Sequence, residues 1–104
     1  DYWQYLDLHY HNSFDEVLQA YPNGRFFFAT TKAKRFYTDI SFQKDDFLVF
    51  GKETAGLPKT ILDAYPEQTI RIPMGKDIRS LNLANSVAII LYEALRQQGW
   101  PNLV

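Results

Sequence analysis

Arg25-Phe26-Phe27-Phe28-Ala29-Thr30 is a short, aromatic, unbroken run, and that form suits a β-strand buried on both faces. Asp46-Phe47-Leu48-Val49-Phe50 repeats the pattern and stops at Gly51, and Thr69-Ile70-Arg71-Ile72-Pro73 reads as a third strand. Helical signals fill the intervals. Ser13-Phe14-Asp15-Glu16 has the form of a capping box, in which Ser13 and Glu16 satisfy each other's free amides. Val17, Leu18 and Tyr21 follow as an apolar face, and Pro22-Asn23-Gly24 ends that helix in a turn. Pro58 stands where a first helical turn tolerates proline, ahead of Ile61, Leu62 and Ala64. Leu83, Val87, Ile90, Leu91, Ala94 and Leu95 recur at helical spacing, and Gly99 with Pro101 closes the run. Strands alternating with helices predict an α/β fold: a mostly parallel sheet with flanking helices. No repeat, low-complexity stretch or linker divides the chain, so residues 1–104 read as a single domain.

Composition narrows the classes. Hydrophobic residues make up 46% and charged residues 22% of the 104, which excludes wholesale disorder. A chain of this size buries only roughly 60–65% of its unfolded surface. With 8 Phe, 7 Tyr and 2 Trp it holds more apolar surface than one small core needs, so a homodimer is expected. The absence of cysteine excludes disulfides, a cysteine nucleophile and cysteine-ligated metal sites, and fits a reducing compartment. No apolar run approaches the roughly 20 residues of a membrane span, so no membrane association is expected. His9 and His11 share one face if extended, but no acidic partner stands at ligand spacing, and no metal is expected. The net charge of −1 gives no global field for nucleic acid, so any such contact needs a local basic patch.

Three loops follow the three strands: Thr30-Thr31-Lys32, the stretch from Gly51 to Pro58, and Met74 to Asn82. Ligands of open parallel sheets bind beyond the carboxyl ends of the strands, so these loops form the default site. Gly51 and Gly56 either let backbone approach a ligand closely, or adopt positive φ, or serve as ordinary turn residues. Their spacing matches neither G-x-G-x-x-G nor the P-loop, which disfavours dinucleotides and triphosphates. Ile72, Met74, Leu57 and Leu81 could line an apolar slot, although Ile72 and Leu81 also read as plain core.

Leu48 to Pro58 (LVFGKETAGLP) and Arg71 to Gln97 (RIPMGKDIRSLNLANSVAIILYEALRQ) resemble the second and third motifs of the SPOUT methyltransferases. Ala29-Thr30-Thr31-Lys32 and the opening Asp1-Tyr2-Trp3 agree with one branch, the tRNA (cytidine/uridine-34 2′-O)-methyltransferases. The resemblance covers essentially the whole chain. The family's first motif, an NTGN…R segment, has no counterpart, so the chain is expected to be the C-terminal portion of a longer domain. The resemblance implies an α/β-knot with a deep trefoil knot, a bound S-adenosylmethionine, tRNA as substrate, a homodimer and a cytoplasmic location. It places the cofactor against Ala29, Thr30, Gly51, Glu53, Ile72, Met74, Ser80 and Leu81. Glu53 and Asn82 match conserved polar positions of the second and third motifs and are the catalytic candidates. Either could instead be a capping or solvated loop residue, and Ser80 competes with Asn82 as helix cap. Ala84 stands where the branch commonly has Ser.

The reaction implied is in-line methyl transfer from a sulfonium to a ribose 2′-hydroxyl, a poor nucleophile that needs positioning and a base. In related enzymes the base is attributed to the Arg of the first motif, so these 104 residues alone are expected to lack it. Lys32, Arg35 and Arg79, with Lys34, Lys76 and Arg96 behind them, could contact phosphates or simply be solvated. Tyr92 matches a tyrosine used near substrate or dimer interface, and otherwise is one more residue of an amphipathic helix. Two alternatives stand beside this reading. One is a ribosomal-RNA 2′-O-methyltransferase of the same superfamily, and the other a non-catalytic cofactor-binding or dimerisation fragment.

Overall fold

The computed structural model describes residues 4–7, 14–51, 56–76, 82–101 and 103. In chain order they form β1 (Gln4–Asp7), α1 (Phe14–Ala20), β2 (Phe26–Ala29), β3 (Phe47–Phe50), α2 (Lys59–Ala64), β4 (Thr69–Ile70) and α3 (Leu83–Gln97). The four strands make one sheet in the order β1-β3-β2-β4, and every pairing is parallel. The expected α/β architecture is therefore present.

β2 and β3 occupy the centre, as their sequences demand. Phe26, Phe27 and Phe28 are all buried, as are all four residues of β3. Alternation sends their side chains to two cores. Phe26, Phe28, Phe47 and Val49 join Val17 and Leu57 on one face, backed by Leu18, Ile61, Leu62 and Tyr65 from α1 and α2. Phe27, Leu48, Phe50 and Ile70 join Ile90 and Ala94 of α3 on the other.

Several details differ from the sequence-based expectation. β1 was not foreseen; it pairs Gln4 with Phe47 through Asp7 with Phe50. The third strand is only two residues long, although Phe36 extends that edge by bridging Arg71. Pro58 precedes α2 as its N-cap rather than sitting in its first turn. The stretch 31–44, polar and basic in sequence, also carries the buried Ala33, Ile40 and Phe42. Ser13 of the expected capping box lies outside the described residues, although α1 begins at the next position.

Polar ties fix the ends of this scaffold. At the amino ends of β2 and β3, Arg25 donates from Nε and Nη2 to the Asp46 carboxylate at 2.9 and 2.8 Å. The Asp46 side chain is 3% exposed and also accepts the Gln43 amide at 2.8 Å. Arg25→Ala leaves that carboxylate buried with only a backbone donor. We expect a loss of about 2–4 kcal/mol in urea unfolding, since removing one partner strands a desolvated charge. A change below about 0.5 kcal/mol would show that water replaces the guanidinium freely.

At the other helical layer, Gln97 of α3 accepts the Phe42 amide at 2.7 Å and donates to the Ile40 carbonyl at 2.9 Å. Glu93 accepts from Gln97 at 2.9 Å and from Arg96 at 2.8 and 3.0 Å. α3 closes in a Schellman motif: the Trp100 amide reaches the Leu95 carbonyl at 2.9 Å and the Gly99 amide the Arg96 carbonyl at 3.0 Å, with Gly99 at φ +77°. The Arg96 hydrogen bond, aided by Gln97, holds the Glu93 carboxyl below its ordinary value of 4.5. A depressed folded value means stability that is present above about pH 4.5 and lost as pH falls through the folded value. Glu93→Gln is expected to flatten this part of the acid limb in thermal melts from pH 6 to about pH 3. Parallel acid limbs in the two proteins would refute that role.

Candidate functional site

Because all strands run in parallel, their carboxyl ends lie on one side of the sheet. Phe28 pairs with both Val49 and Thr69, and Ala29 with Ile70, so Ala29, Phe50 and Ile70 end at one level. The Thr30 amide continues the ladder to the Ile70 carbonyl at 2.9 Å, and the Thr30 hydroxyl accepts the Lys32 amide at 3.2 Å. Ala29 and Ile72 both pack against the α3-side core. The structure thus brings Ala29, Thr30, Gly51 and Ile72 to one edge, as expected, with half-buried Met74 following Ile72.

Ile72 and Met74 combine apolar, half-buried side chains with backbone groups that make no hydrogen bond among the described residues. That pairing of an apolar wall with free donors and acceptors suits a flat heterocycle with polar edges. Gly51 plays a different part from the one its position suggests. Its φ is not positive, whereas Gly56 has φ +68°. A Cβ on Gly51 would lie 2.6 Å from the Gly56 carbonyl oxygen and would overlap the Gly56 and Leu57 backbone. The close approach that requires glycine here is that of the chain to itself.

Asn82 is the N-cap of α3: its Oδ1 accepts the Ala84 amide at 2.8 Å, and its side chain is exposed. The carboxamide nitrogen has no partner among the described residues, so the cap leaves both of its N–H donors unused there. Glu53, Ser80, Leu81 and Arg79 lie outside the described residues, as do His9 and His11. So does the 77–81 connection that bears on the expected knot. Among the described residues no group of three or more His, Cys, Asp or Glu could hold a metal ion, and no helix is long and apolar enough to cross a membrane.

Beside the strand ends, on the α2 face of the sheet, lies a cleft of about 660 Å³. Its walls include Thr30, Lys32, Lys34, Arg35 and Lys59, with Asp63 and Glu67 as its acids. Lys32 and Arg35 therefore meet as expected, and Arg35 is steadied by a 2.8 Å bond from Nη2 to the Glu67 carbonyl. Lys59 is the member that reading the sequence missed. Its signal was weak: a single charged residue in the first turn of α2, remote in sequence from the Lys32–Arg35 cluster. Arg96, by contrast, is committed to Glu93. Tyr92 is 58% exposed on α3 and meets Trp100 edge to face, with ring centroids 5.7 Å apart.

A parallel sheet with an apolar wall at its strand ends and a basic cleft beside them defines an α/β domain whose candidate site lies at the carboxyl edge. Residues 1–92 match the model of the SpoU rRNA methylase family, and the chain belongs to that family. It is 46% identical over its whole length to the tRNA (cytidine(34)-2′-O)-methyltransferase of Escherichia coli, covering 67% of that protein. A solved structure described as giving insight into 2-OH methylation of C/U34 on tRNA superposes with a TM-score of 0.79 at 39% identity, over 86% of this chain and 58% of the other. The SpoU methyltransferase AviRb of Streptomyces viridochromogenes, solved with AdoMet, superposes at 0.69 with 30% identity, over 83% of this chain and 35% of that one. The chain spans 58 to 68% of the lengths of the curated relatives it matches. Its fold is accordingly that of the SPOUT methyltransferases.

Proposed function

We propose that this chain is the cofactor-binding portion of a cytoplasmic, S-adenosylmethionine-dependent RNA methyltransferase that modifies the ribose 2′-hydroxyl of the tRNA wobble nucleotide. The observation that carries the reading is identity of 46% to a tRNA (cytidine(34)-2′-O)-methyltransferase without a gap in coverage of this chain. The residues fit the cofactor. Ile72 and Met74 supply an apolar slot for adenine, with backbone donors and acceptors unpaired among the described residues, beside Ala29, Thr30 and Gly51.

When bound, S-adenosylmethionine supplies a methyl group made electrophilic by its sulfonium. The chain's own work is positional. The strand ends hold the cofactor at a fixed level of the sheet, and capping by Asn82 fixes the start of α3 beside it. Glu53, Ser80 and Leu81 complete this site in the proposed reading, Lys32, Arg35 and Arg79 face the RNA, and Tyr92 stands where the substrate and the dimer interface meet. Orientation of a weak nucleophile is worth several powers of ten in rate, so such a scaffold contributes even where the base is supplied elsewhere. Calorimetric titration with S-adenosylhomocysteine is the test: saturable binding at one site per chain is expected, and no heat would overturn the reading in favour of an interaction module.

The same reading includes a two-fold homodimer. Tyr92, Trp100 and Leu103 are exposed together around the end of α3, at 58, 42 and 50%. An apolar patch of this kind is a common mark of an interface. Light scattering at micromolar concentration should give twice the monomer mass, and a monomer would contradict the proposal.

A further inference from the structure

The basic cleft carries more than a general attraction for RNA. Four of its side chains are cationic (Lys32, Lys34, Arg35 and Lys59) against the two acids Asp63 and Glu67, in a chain whose net charge is −1. Among the described residues the one ion pair in its walls runs along α2, from Lys59 to Asp63 at 3.6 Å, with the two side chains 85 and 65% exposed, so little of the positive charge is consumed.

A second observation points the same way. Arg71 has a buried Nε with no hydrogen-bond partner among the described residues. Ile70 and Ile72 pack on the α3 face, so alternation sends Thr69 and Arg71 to the opposite face, which is the face of the cleft. Since Ala29 pairs with Ile70, the next rung sets Arg71 beside Thr30. Buried guanidinium donors are nearly always paired, and a forked anion is their best partner.

Thr30 belongs both to the cleft and to the strand-end edge proposed for the cofactor. An anion in the cleft therefore lies next to the reacting centre. In RNA, the 2′-hydroxyl and the 3′-phosphate sit on adjacent ribose carbons, so a hydroxyl presented to the cofactor brings that phosphate with it. We infer that the cleft lined by Thr30, Lys34, Arg35 and Lys59, with Arg71 on the next rung beside Thr30, is the seat of the phosphate on the 3′ side of the target nucleotide. It fixes the ribose by its anion rather than by its base. This assignment rests on the proposed RNA methyltransferase function.

The test uses an anticodon stem-loop RNA and the protein with Lys34→Gln and Lys59→Gln combined, both at exposed positions where folding is not at stake. Binding is followed by fluorescence anisotropy across a salt series. Loss of two phosphate-directed charges should reduce the slope of log affinity against log salt by roughly 1.4–1.8. Affinity for S-adenosylhomocysteine should stay at the parent value. In the parent, ethylation of the 3′ phosphate of the target nucleotide should cost at least tenfold in RNA affinity, and in the variant it should cost little. A parent that binds the RNA alongside a variant with the same slope and the same sensitivity to ethylation would overturn the cleft assignment alone. A parent that binds no RNA at any salt would overturn the functional reading and the cleft with it.

Discussion

Gly51→Val is expected to lose stability and cofactor affinity together. The cause is not a clash with the ligand. A Cβ at this position overlaps the Gly56 and Leu57 backbone, and backbone has no rotamer by which to step aside. The segment closing on Gly51 must therefore open. Leu57 is 7% exposed and belongs to the core on the α1 and α2 face, so opening also strips an apolar anchor. Overpacking of this kind costs about 1–3 kcal/mol, and a collision with backbone belongs at the upper end of that range. Displacement of the strand end should weaken S-adenosylhomocysteine at least tenfold, about 1.4 kcal/mol. Gly51→Ala should already show most of both effects, because the first carbon makes the collision. Gly56→Ala is the informative contrast. Among the described residues nothing lies within 4 Å of a Cβ there, and the φ of +68° opposes it, at about 1–2 kcal/mol. A Gly51→Ala protein as stable and as tight-binding as its parent would disprove the close approach.

Gly51 also shows where reading the sequence stops. A glycine at a strand end announces that something comes near, but the chain alone does not say whether this is ligand or backbone. The buried strands were legible because both are short and wholly apolar, and such runs have few other places to go. α3 was legible because its apolar residues keep helical spacing for four turns, and Asn82 and Gly99 mark its ends. β1 was not. Gln4-Tyr5-Leu6-Asp7 is four residues of mixed polarity, and its pairing with β3 is a contact across more than 40 positions that no local pattern encodes. Ala33, Ile40 and Phe42 were hidden for a similar reason: they reach the core from an irregular segment with no period to betray them. At the site, Lys32 and Arg35 could be picked out as a local cluster. Lys59 joins them only because α2 packs on the β2 and β3 face beside the cleft, and the buried Nε of Arg71, unpartnered among the described residues, is invisible until the strand's register is known. The family resemblance singled out Ile72 and Asn82 where pattern alone offers core packing and a helix cap.

The second large effect is expected at Phe28. It lies in β2, flanked by β3 and β4, is fully buried, and stacks on Tyr65 with ring centroids 5.2 Å apart and planes 21° apart. Its neighbours are Phe26, Phe47, Val49 and Leu57, most of them held by strand backbone that cannot collapse into a void. Phe28→Ala should therefore cost about 3–5 kcal/mol, as ring removal from a rigid core does. Against a total stability of about 5–15 kcal/mol this brings the domain near its threshold. At roughly 4–8 °C per kcal/mol, the melting midpoint should fall by more than about 10 °C. Phe28 immediately precedes Ala29 and Thr30, so the same variant links core to site. If the strand end holds the cofactor only when folded, S-adenosylhomocysteine at 100 times its Kd should return about 2.7 kcal/mol of the loss. Ligand that binds the variant at parental affinity, yet restores no stability, would show that the bound and folded states are not coupled through β2. A loss below about 1 kcal/mol would show that Phe28 does not anchor the core on that face.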